Sequence, residues 1–480
     1  MKNLYNFNQP VIVLLIAIIV LIASSALPEF ELFDGVDVKS VDMLSDLKME
    51  EEVDEFQFEE YYEEEDTSDY ESEDSTDLES SLPNTQQINK ASINITLVED
   101  FFESELEKIS SFTPSSPVST KNEKITGNVG QLKSFINALK KSKTKQVRIA
   151  HFGDSGIEGD LVSADLREIL QSKYGGSGLG FLPAITADIN YRVSTSFKNS
   201  SGWQDYGVNK RNPDRLPVGI NGEVFINGAN GWFEYKPNSR YRHAKSFNEI
   251  KIYYSDAKST SFSYTINGNK NNGKFSTGKG VKEFSAKTPN GSSVKVELPS
   301  NEQAYLYGIS LESGNGVYVD NFPFRGNTGV DLKDIPESTL KEFNKYLNYD
   351  LIVFQFGLNA LSARNFKKYE KDMIKVVEHY KRAFPNASFV LIGSQDRSVK
   401  RGNDFTSEPK LVKLIQAQIN VAKATKIAFW NLFNAMGGKD SMIDWVNANP
   451  PLASKDHIHF NEMGVKKVAE LFSDALLDVK

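Results

Sequence analysis

Three short polar groups of residues in this 480-residue chain could do chemistry together. GDS at residues 153–155 directly follows the apolar run VRIAHF, and GLN at residues 357–359 follows DLIVFQF. DHIH at residues 456–459 comes just before the last helical pattern. A serine hydroxyl is a weak nucleophile until a base activates it, and that base needs an acid to orient it. These residue types therefore indicate nucleophilic catalysis by a serine.

The chain has five histidines that could supply the base. Three of them stand apart: His151 in the strand pattern before GDS, His243 in a β-rich region and His379 on a charged helix. His457 and His459 lie beside Asp456. Because Asp456 and His459 are three residues apart, one loop can present both side chains to the same side. We predict Ser155 as the nucleophile and His459 as the base, oriented by Asp456, with His457 as the alternative base.

The surrounding elements should bring these groups together. Alternating strand and helix patterns over residues 126–189 and 316–480 predict a parallel sheet with helices on both faces. Residues 190–315 instead carry short alternating runs separated by Asn-Gly and Gly-Asn turns, which predicts an inserted antiparallel β-sandwich. GGSGLGF at residues 175–181 lacks the Lys-Ser/Thr of a phosphate-binding loop and is interpreted as a plain loop. Active groups of such a sheet belong at the carboxyl ends of its strands, where GDS and GLN both lie.

GDS, GLN and DHIH, in that order, resemble blocks I, III and V of the SGNH (GDSL-type) hydrolases. The resemblance covers about residues 146–186 and 316–478, and it implies an SGNH-type, flavodoxin-like α/β fold with the serine as nucleophile. It also implies an oxyanion hole made by the Ser155 N–H, a block II glycine and the Asn359 amide. In VDNFPFRGNTGVDL both Gly326 and Gly329 could serve as that glycine, and we choose Gly326 because it follows the strand pattern VYVDNF.

The long insertion resembles that of bacterial peptidoglycan O-acetylesterases, in which a carbohydrate-binding-like β-sandwich interrupts the SGNH domain. Four of its aromatic residues could stack on sugar rings: Trp203, Tyr206, Trp232 and Tyr235. The alternative is that they pack in the core of the sandwich. Trp203 and Trp232 are our candidates for substrate binding.

The first 125 residues differ from the rest of the chain. Residues 11–27, VIVLLIAIIVLIASSAL, are almost wholly apolar, so residues 1–28 are predicted to be a membrane anchor or a cleaved signal peptide. The rest of the chain is then expected outside the cytoplasm, in the periplasm or at the cell surface. Residues 29–80 hold 23 Asp or Glu against two Lys. Residues 29–125 are therefore predicted to be an acidic, Ser/Thr-rich disordered spacer, with a docking tail or cation binder as the alternative.

Composition excludes several classes of function. The absence of cysteine excludes a disulfide framework, Cys-ligated zinc and a thiol nucleophile. DHIH alone lacks the spacing of a metal site, so no metal or cofactor is expected, and nucleic acid is not expected as a partner of an exported chain.

We predict a membrane-tethered serine esterase that removes acyl groups, chiefly acetyl, from a cell-surface or wall polysaccharide such as peptidoglycan. An acyltransferase of the same fold and a non-catalytic glycan-binding protein are the alternatives.

Overall fold

The computed structural model describes residue 118 and residues 120–187, 192–258, 261–299 and 304–479. These residues belong to one compact unit, Asn94–Lys480. The predicted export segment over residues 1–28 and nearly all of the predicted spacer over residues 29–125 lie outside the described residues. Within the described ranges, no helix has both the length and the apolar character needed to cross a bilayer.

Strands and helices alternate in the two outer parts of the described chain, and strands dominate the part between them. The strands are β1 (Thr126–Gly127), β2 (Gln146–Gly153), β3 (Gly178–Pro183), β4 (Thr195–Asn199), β5 (Gln204–Gly207), β6 (Glu223–Ile226), β7 (Gly231–Pro237), β8 (Phe247–Ser255), β9 (Ser261–Ile266), β10 (Asn269–Lys274), β11 (Lys282–Gly291), β12 (Val294–Leu298), β13 (Tyr305–Glu312), β14 (Gly316–Pro323), β15 (Leu351–Gln355), β16 (Ser388–Ile392), β17 (Ser398–Arg401), β18 (Asp404–Ser407) and β19 (Ala428–Trp430). The α-helices are α1 (Lys133–Lys140), α2 (Ser163–Tyr174), α3 (Glu337–Leu347), α4 (Lys367–Ala383), α5 (Leu411–Thr425), α6 (Leu432–Met436), α7 (Ser441–Val446) and α8 (Glu462–Leu477).

A six-stranded sheet carries the two strands that end in polar motifs. Its order is β1-β19-β16-β15-β2-β14, and every neighbouring pair except β1–β19 is parallel. The side chains of β2 alternate between two buried clusters, with Val147 and Ile149 in one and Ala150 and Phe152 in the other. This burial on both faces is the reason for the continuous apolar run in the sequence.

Helices cover both faces of this sheet, as predicted. The cluster on one face includes Phe343 of α3, Tyr380 of α4 and Leu414 of α5. The cluster on the opposite face includes Phe135 of α1, Leu166 of α2 and Phe472 of α8. The predicted α/β class is therefore confirmed.

The part between β2 and β14 forms two antiparallel sheets, with orders β10-β9-β12-β7-β4 and β11-β8-β13-β6-β5. Both contribute to one apolar cluster, in which Phe233 of β7 and Phe262 of β9 are buried with Ile252 of β8 and Leu306 of β13. The predicted β insertion is confirmed, whereas its boundaries at residues 190 and 315 stay predictions. The interpretation of GGSGLGF as a plain loop was wrong, because its last four residues begin β3, which pairs with β13.

A buried ionic cluster ties the insertion to the parallel sheet. Arg148 of β2 donates to Asp320 of β14 and to Glu312 of β13. Lys251 of β8 also binds Glu312, at 2.7 Å. Burial alone would raise the pKa of Glu312, but the charges of Arg148 and Lys251 lower it to about 2. Removing one member of this cluster would leave an uncompensated buried charge. The cluster therefore fixes the position of the insertion relative to the parallel sheet.

Candidate active site

Ser155 lies at the carboxyl end of β2, in a tight turn. The strand ends at Gly153, and a 3-10 turn begins at Ser155. The Asp154 side chain caps this turn by accepting the Gly156 N–H at 2.9 Å. A Cβ on Gly153 would lie 2.9 Å from the Gln355 carbonyl oxygen and from the Ile157 side chain, so a larger residue would push the turn off the sheet. The local sequence thus presents Ser155 at the edge where the parallel strands end.

The loop before α8 supplies the predicted base and acid. Asp456 Oδ1 accepts the backbone N–H groups of Ile458 and His459, at 2.9 and 3.0 Å. Asp456 Oδ2 lies 2.6 Å from His459 Nδ1, and His459 Nε2 lies 3.5 Å from Ser155 Oγ. The structure therefore brings Ser155, His459 and Asp456 together in the predicted order. The last separation is at the long end of a hydrogen bond, as is common in sites without substrate.

The electrostatics of this pair suit a base with an orienting acid. Burial opposes ionisation of Asp456, but hydrogen bonds from the His459 ring and from two backbone N–H groups lower its pKa to about 2. The hydrogen bond to Asp456 raises the pKa of His459 above its ordinary value, against partial burial. A carboxylate that stays ionised holds Nδ1 protonated, so Nε2 is left as the acceptor that faces Ser155.

The alternative base, His457, lies elsewhere. Its backbone is left-handed, with φ of 58°. Its ring is buried and stacks on Phe405 of the β17–β18 hairpin, with ring centroids 3.7 Å apart. The Ser398 N–H donates to the His457 carbonyl, and Gln395 Nε2 donates to the carbonyl of Ile458. His457 therefore anchors the loop that carries His459, and it does not face Ser155.

The other three histidines have separate partners. His151 lies between the Ser163 hydroxyl and the Gln355 amide, His243 lies 2.8 Å from Glu168, and His379 lies 2.8 Å from the Ile335 carbonyl. Burial lowers the pKa of His151 to about 4, so its ring is neutral at physiological pH. None of these three rings is hydrogen-bonded to Ser155 among the described contacts.

The predicted oxyanion donors lie on two turns next to the serine. Asn359 lies in the 3-10 turn that follows β15, and one hydrogen of its amide goes to the Asn327 carbonyl at 3.0 Å. Gly329 is buried, and its N–H is committed to Asn327 Oδ1. Gly326 is exposed, with φ of 73°, in a turn closed by the bond from the Asn327 N–H to the Phe324 carbonyl. The Gly326 N–H donates to no acceptor in the described ranges, so of the two glycines it is the one with a donor to spare, and its role stays a prediction.

Asp154 and Arg325 also belong to this site, and sequence reasoning missed both. Burial raises the pKa of Asp154 to about 6, although backbone N–H groups of Gly156 and Gly357 oppose the rise. The Asp154 charge raises the pKa of His459, and the Arg325 charge lowers it. Arg325 also pairs with Glu158 at 2.9 Å. The position of Asp154 inside GDS was the available signal, but its burial depends on the assembled sheet.

The structure separates the aromatic candidates of the insertion. Tyr235 is buried in the sandwich core, and Tyr206 is partly buried, with its hydroxyl 3.3 Å from Gln204. Trp232 alternates with the core residue Phe233, so it lies on the outer face of its sheet, where Lys295 Nζ lies 4.6 Å from the ring centroid. Only Trp203 lines a cavity of about 470 Å³, which extends from Arg325 into the insertion. Trp232 is not among the residues that line this cavity.

No cluster of three or more His, Asp or Glu side chains that could hold a metal ion is found in the described ranges.

The fold and this arrangement define an α/β protein with a serine, a histidine and an aspartate at the carboxyl edge of its mostly parallel sheet. Residues 259–472 match the model of the GDSL-like lipase/acylhydrolase family, a family of ester hydrolases. The match contains Asn359, Asp456 and His459, whereas Ser155 lies before it. No curated protein sequence matches the chain.

Comparison with solved structures gives several matches. One peptidoglycan O-acetylesterase structure is 20% identical, covers 73% of this chain and 97% of its own chain, and has a TM-score of 0.60. A family two carbohydrate esterase from Cellvibrio japonicus is 11% identical, covers 59% of this chain and 98% of its own, and has a TM-score of 0.24. One from Clostridium thermocellum in complex with cellohexaose is 9% identical, with coverages of 54% and 96% and a TM-score of 0.26. The first of these shows that the fold of the matched 73% of this chain occurs in another protein.

Proposed function

We propose that the chain is a serine esterase that removes acyl groups, chiefly acetyl, from a cell-surface or wall polysaccharide such as peptidoglycan. The observation that carries the proposal is the contact from Asp456 through His459 to Ser155, at 2.6 and 3.5 Å. The match of residues 259–472 to the model of an ester hydrolase family supports the reaction class. The fold shared with a peptidoglycan O-acetylesterase supports an acylated glycan as the substrate class.

The reaction proceeds through an acyl-enzyme. Ser155 Oγ attacks the ester carbonyl carbon while His459 Nε2 takes the hydroxyl proton, and Asp456 stabilises the imidazolium that forms. The tetrahedral intermediate collapses when His459 returns this proton to the departing sugar oxygen. Water then attacks the acyl-serine with His459 again as the base, which releases the carboxylic acid and restores the serine.

Charge that develops on the carbonyl oxygen needs donors that are already in place. An amide NH2 has two hydrogens, and only one of those on Asn359 is taken by Asn327. The Ser155 and Gly326 N–H groups donate to no acceptor elsewhere in the described ranges. These three donors form the proposed oxyanion hole.

We also propose that the enzyme works outside the cytoplasm, tethered through residues 1–28. The apolar run over residues 11–27 and the acidic sequence after it support this location. Fractionation of cells that express the full chain should place it with the membrane and accessible to external protease. Recovery in the cytoplasmic fraction would refute the location and leave the chemistry intact.

The test of the activity is acetate release from O-acetylated peptidoglycan by the full chain. We expect release by the wild type and by Ser276→Ala, a matched serine change at an exposed position of the insertion, and none by Ser155→Ala. No release from any of them, with small acetyl esters and added glycan acceptors also tried, would refute the esterase proposal. Acetylated acceptor in place of free acetate would identify an acyltransferase, and retained glycan binding without turnover would identify a binding protein.

A further inference from the structure

The β insertion contacts both ends of the turn that carries Gly326, residues 324–327. The Asn327 N–H closes this turn by donating to the Phe324 carbonyl at 3.0 Å. At the first end, the Phe324 ring is buried in one apolar cluster with Ile220 of the insertion. The contact is close, since a Cβ on Gly222 would lie 2.5 Å from the Phe324 ring. The insertion therefore packs directly against the start of the turn.

At the other end, the Asn327 side chain uses its whole amide in hydrogen bonds. Its Oδ1 accepts the Gly329 N–H at 2.6 Å. Its Nδ2 donates to Asp331 Oδ2 at 2.6 Å and to Asn209 Oδ1 at 2.8 Å. A flipped amide would face an N–H with its NH2 and two oxygen acceptors with its oxygen, so only one orientation is allowed. Asn327, 8% exposed, is thus fixed in place by three partners.

The backbone of Asn327 in turn holds a proposed oxyanion donor. Its carbonyl accepts one hydrogen of the Asn359 amide at 3.0 Å. Because an amide group is planar, this bond also sets the direction of the second hydrogen, which is the one left for the oxyanion. Oxyanion donors stabilise the developing charge only when they are already in place. A shift of the Asn327 carbonyl would therefore misdirect the Asn359 donor.

One of the three partners of Asn327 belongs to the insertion. Asn209 lies in the exposed connection between β5 and β6, which is closed where the Val208 N–H donates to the Gly222 carbonyl at 2.9 Å. We propose that Asn209 and Asn327 are positioning residues, through which the β insertion orients the Asn359 amide. This inference rests on the proposed function, because it concerns the oxyanion hole of the same site. The insertion would then contribute to turnover even of an ester that carries no sugar.

The test is hydrolysis of p-nitrophenyl acetate by the full chain. Asn209→Ala should lower kcat at least about fivefold and leave KM within about twofold, because it removes a hydrogen bond that orients a donor to the transition state. Asn209→Asp, which keeps an acceptor oxygen for the Asn327 amide, should retain at least about half of the wild-type kcat. Asn272→Ala, an exposed change on β10 of the other sheet of the insertion, is the matched control and should keep full activity.

Double variants separate positioning from a general loss of structure. In an Asn327→Ala background, Asn209→Ala should lower kcat less than about twofold further, since Asn209 acts through that side chain. The factor should also be smaller in an Asn359→Ala background than in the wild type. The pH midpoint of kcat/KM should stay at the wild-type value in Asn209→Ala, because the contact of His459 with Asp456 is not changed.

The possible failures can be told apart. Suppose that the wild type hydrolyses the ester and Ser155→Ala does not. A fall in kcat of less than about fivefold for Asn209→Ala, or equal factors in the wild-type and Asn327→Ala backgrounds, would then overturn the positioning role and leave the esterase intact. The expected losses together with no acetate release from O-acetylated peptidoglycan would refute the glycan substrate and keep the positioning role. No hydrolysis of either substrate by the wild type would refute the proposed function and, with it, this inference.

Discussion

Asp456→Asn is the most informative single change at the proposed active site. Asp456 Oδ1 accepts two backbone N–H groups, so in the variant the amide oxygen should keep that position. The amide NH2 then faces His459 Nδ1, where Oδ2 now lies at 2.6 Å. Nδ1 must accept, the ring proton moves to Nε2, and Nε2 can no longer take the proton of Ser155.

The expected magnitude follows from this change of tautomer. A histidine held in the wrong tautomer lowers kcat by a factor of about 10⁴, equivalent to about 5 kcal/mol of activation free energy. The variant should keep the fold, because the two backbone bonds remain. Asp444→Asn, which neutralises an exposed aspartate on α7, is the matched control and should retain full activity.

The pH profile adds a second readout. The base must be unprotonated, and the hydrogen bond to Asp456 raises the pKa of His459 above 6.5. Wild-type kcat/KM should therefore rise with pH through a midpoint above 6.5. The residual activity of the variant should also rise with pH, but its midpoint should lie at a lower pH than that of the wild type. Hydrolysis of p-nitrophenyl acetate between pH 5 and pH 9 measures both effects. A loss of less than about tenfold, or an unshifted midpoint, would refute the assignment of Asp456 as the orienting acid.

Three further changes test the surroundings of the site. Burial raises the pKa of Asp154 from 3.8 to about 6, so the folded chain holds a proton that the unfolded chain releases, and stability falls as pH rises through this window. Asp154→Asn should therefore raise the free energy of unfolding at pH 7 by up to about 3 kcal/mol and by much less near pH 4. Urea unfolding measures this difference, and a lower free energy of unfolding at pH 7 would contradict the prediction. Gly180→Ala should lower the free energy of unfolding by at least about 3 kcal/mol in the same assay, because its Cβ would clash with Asp320 at a φ of 75°. Gly268→Ala, with φ of 82° and open space around the Cβ, should lower it by about 1 kcal/mol. Equal costs would show that the clash relaxes. Asn359→Ala should lower kcat for p-nitrophenyl acetate by a factor of about 10²–10³ with KM little changed, and an unchanged kcat would remove Asn359 from the oxyanion hole.

The sequence was sufficient to predict the parallel sheet and to predict that Ser155, Asp456 and His459 lie together. Long apolar runs followed by helical patterns predict a doubly covered sheet, and the fold then leaves little freedom in where the strand ends meet. The choice between His457 and His459 also followed from the sequence, since the spacing of three from Asp456 lets one turn hold both groups. The structure shows the same turn, closed by the Asp456 side chain.

The remaining features depend on tertiary contacts. The strand β3 has a glycine-rich sequence that favours a loop, and it is a strand only because β13 pairs with it. Alternation along β7 was enough to put Trp232 and Tyr235 on opposite faces, but nothing local places Trp203 in the cavity. The burial of Asp154 likewise depends on segments that are distant in sequence.

The position of β2 in the chain determines when this strand can pair with its neighbours during synthesis. Within the described sheets this strand pairs with β14 and β15, and both follow the entire β insertion in the chain. During synthesis the strand that precedes the serine is therefore without either neighbour until the insertion has been completed. In the described sheets the strands of the insertion pair with one another, so the insertion can form first. The serine then reaches its place only as the last third of the chain arrives with the loop of Asp456 and His459, so a nascent chain that ends before this loop lacks the proposed base and acid.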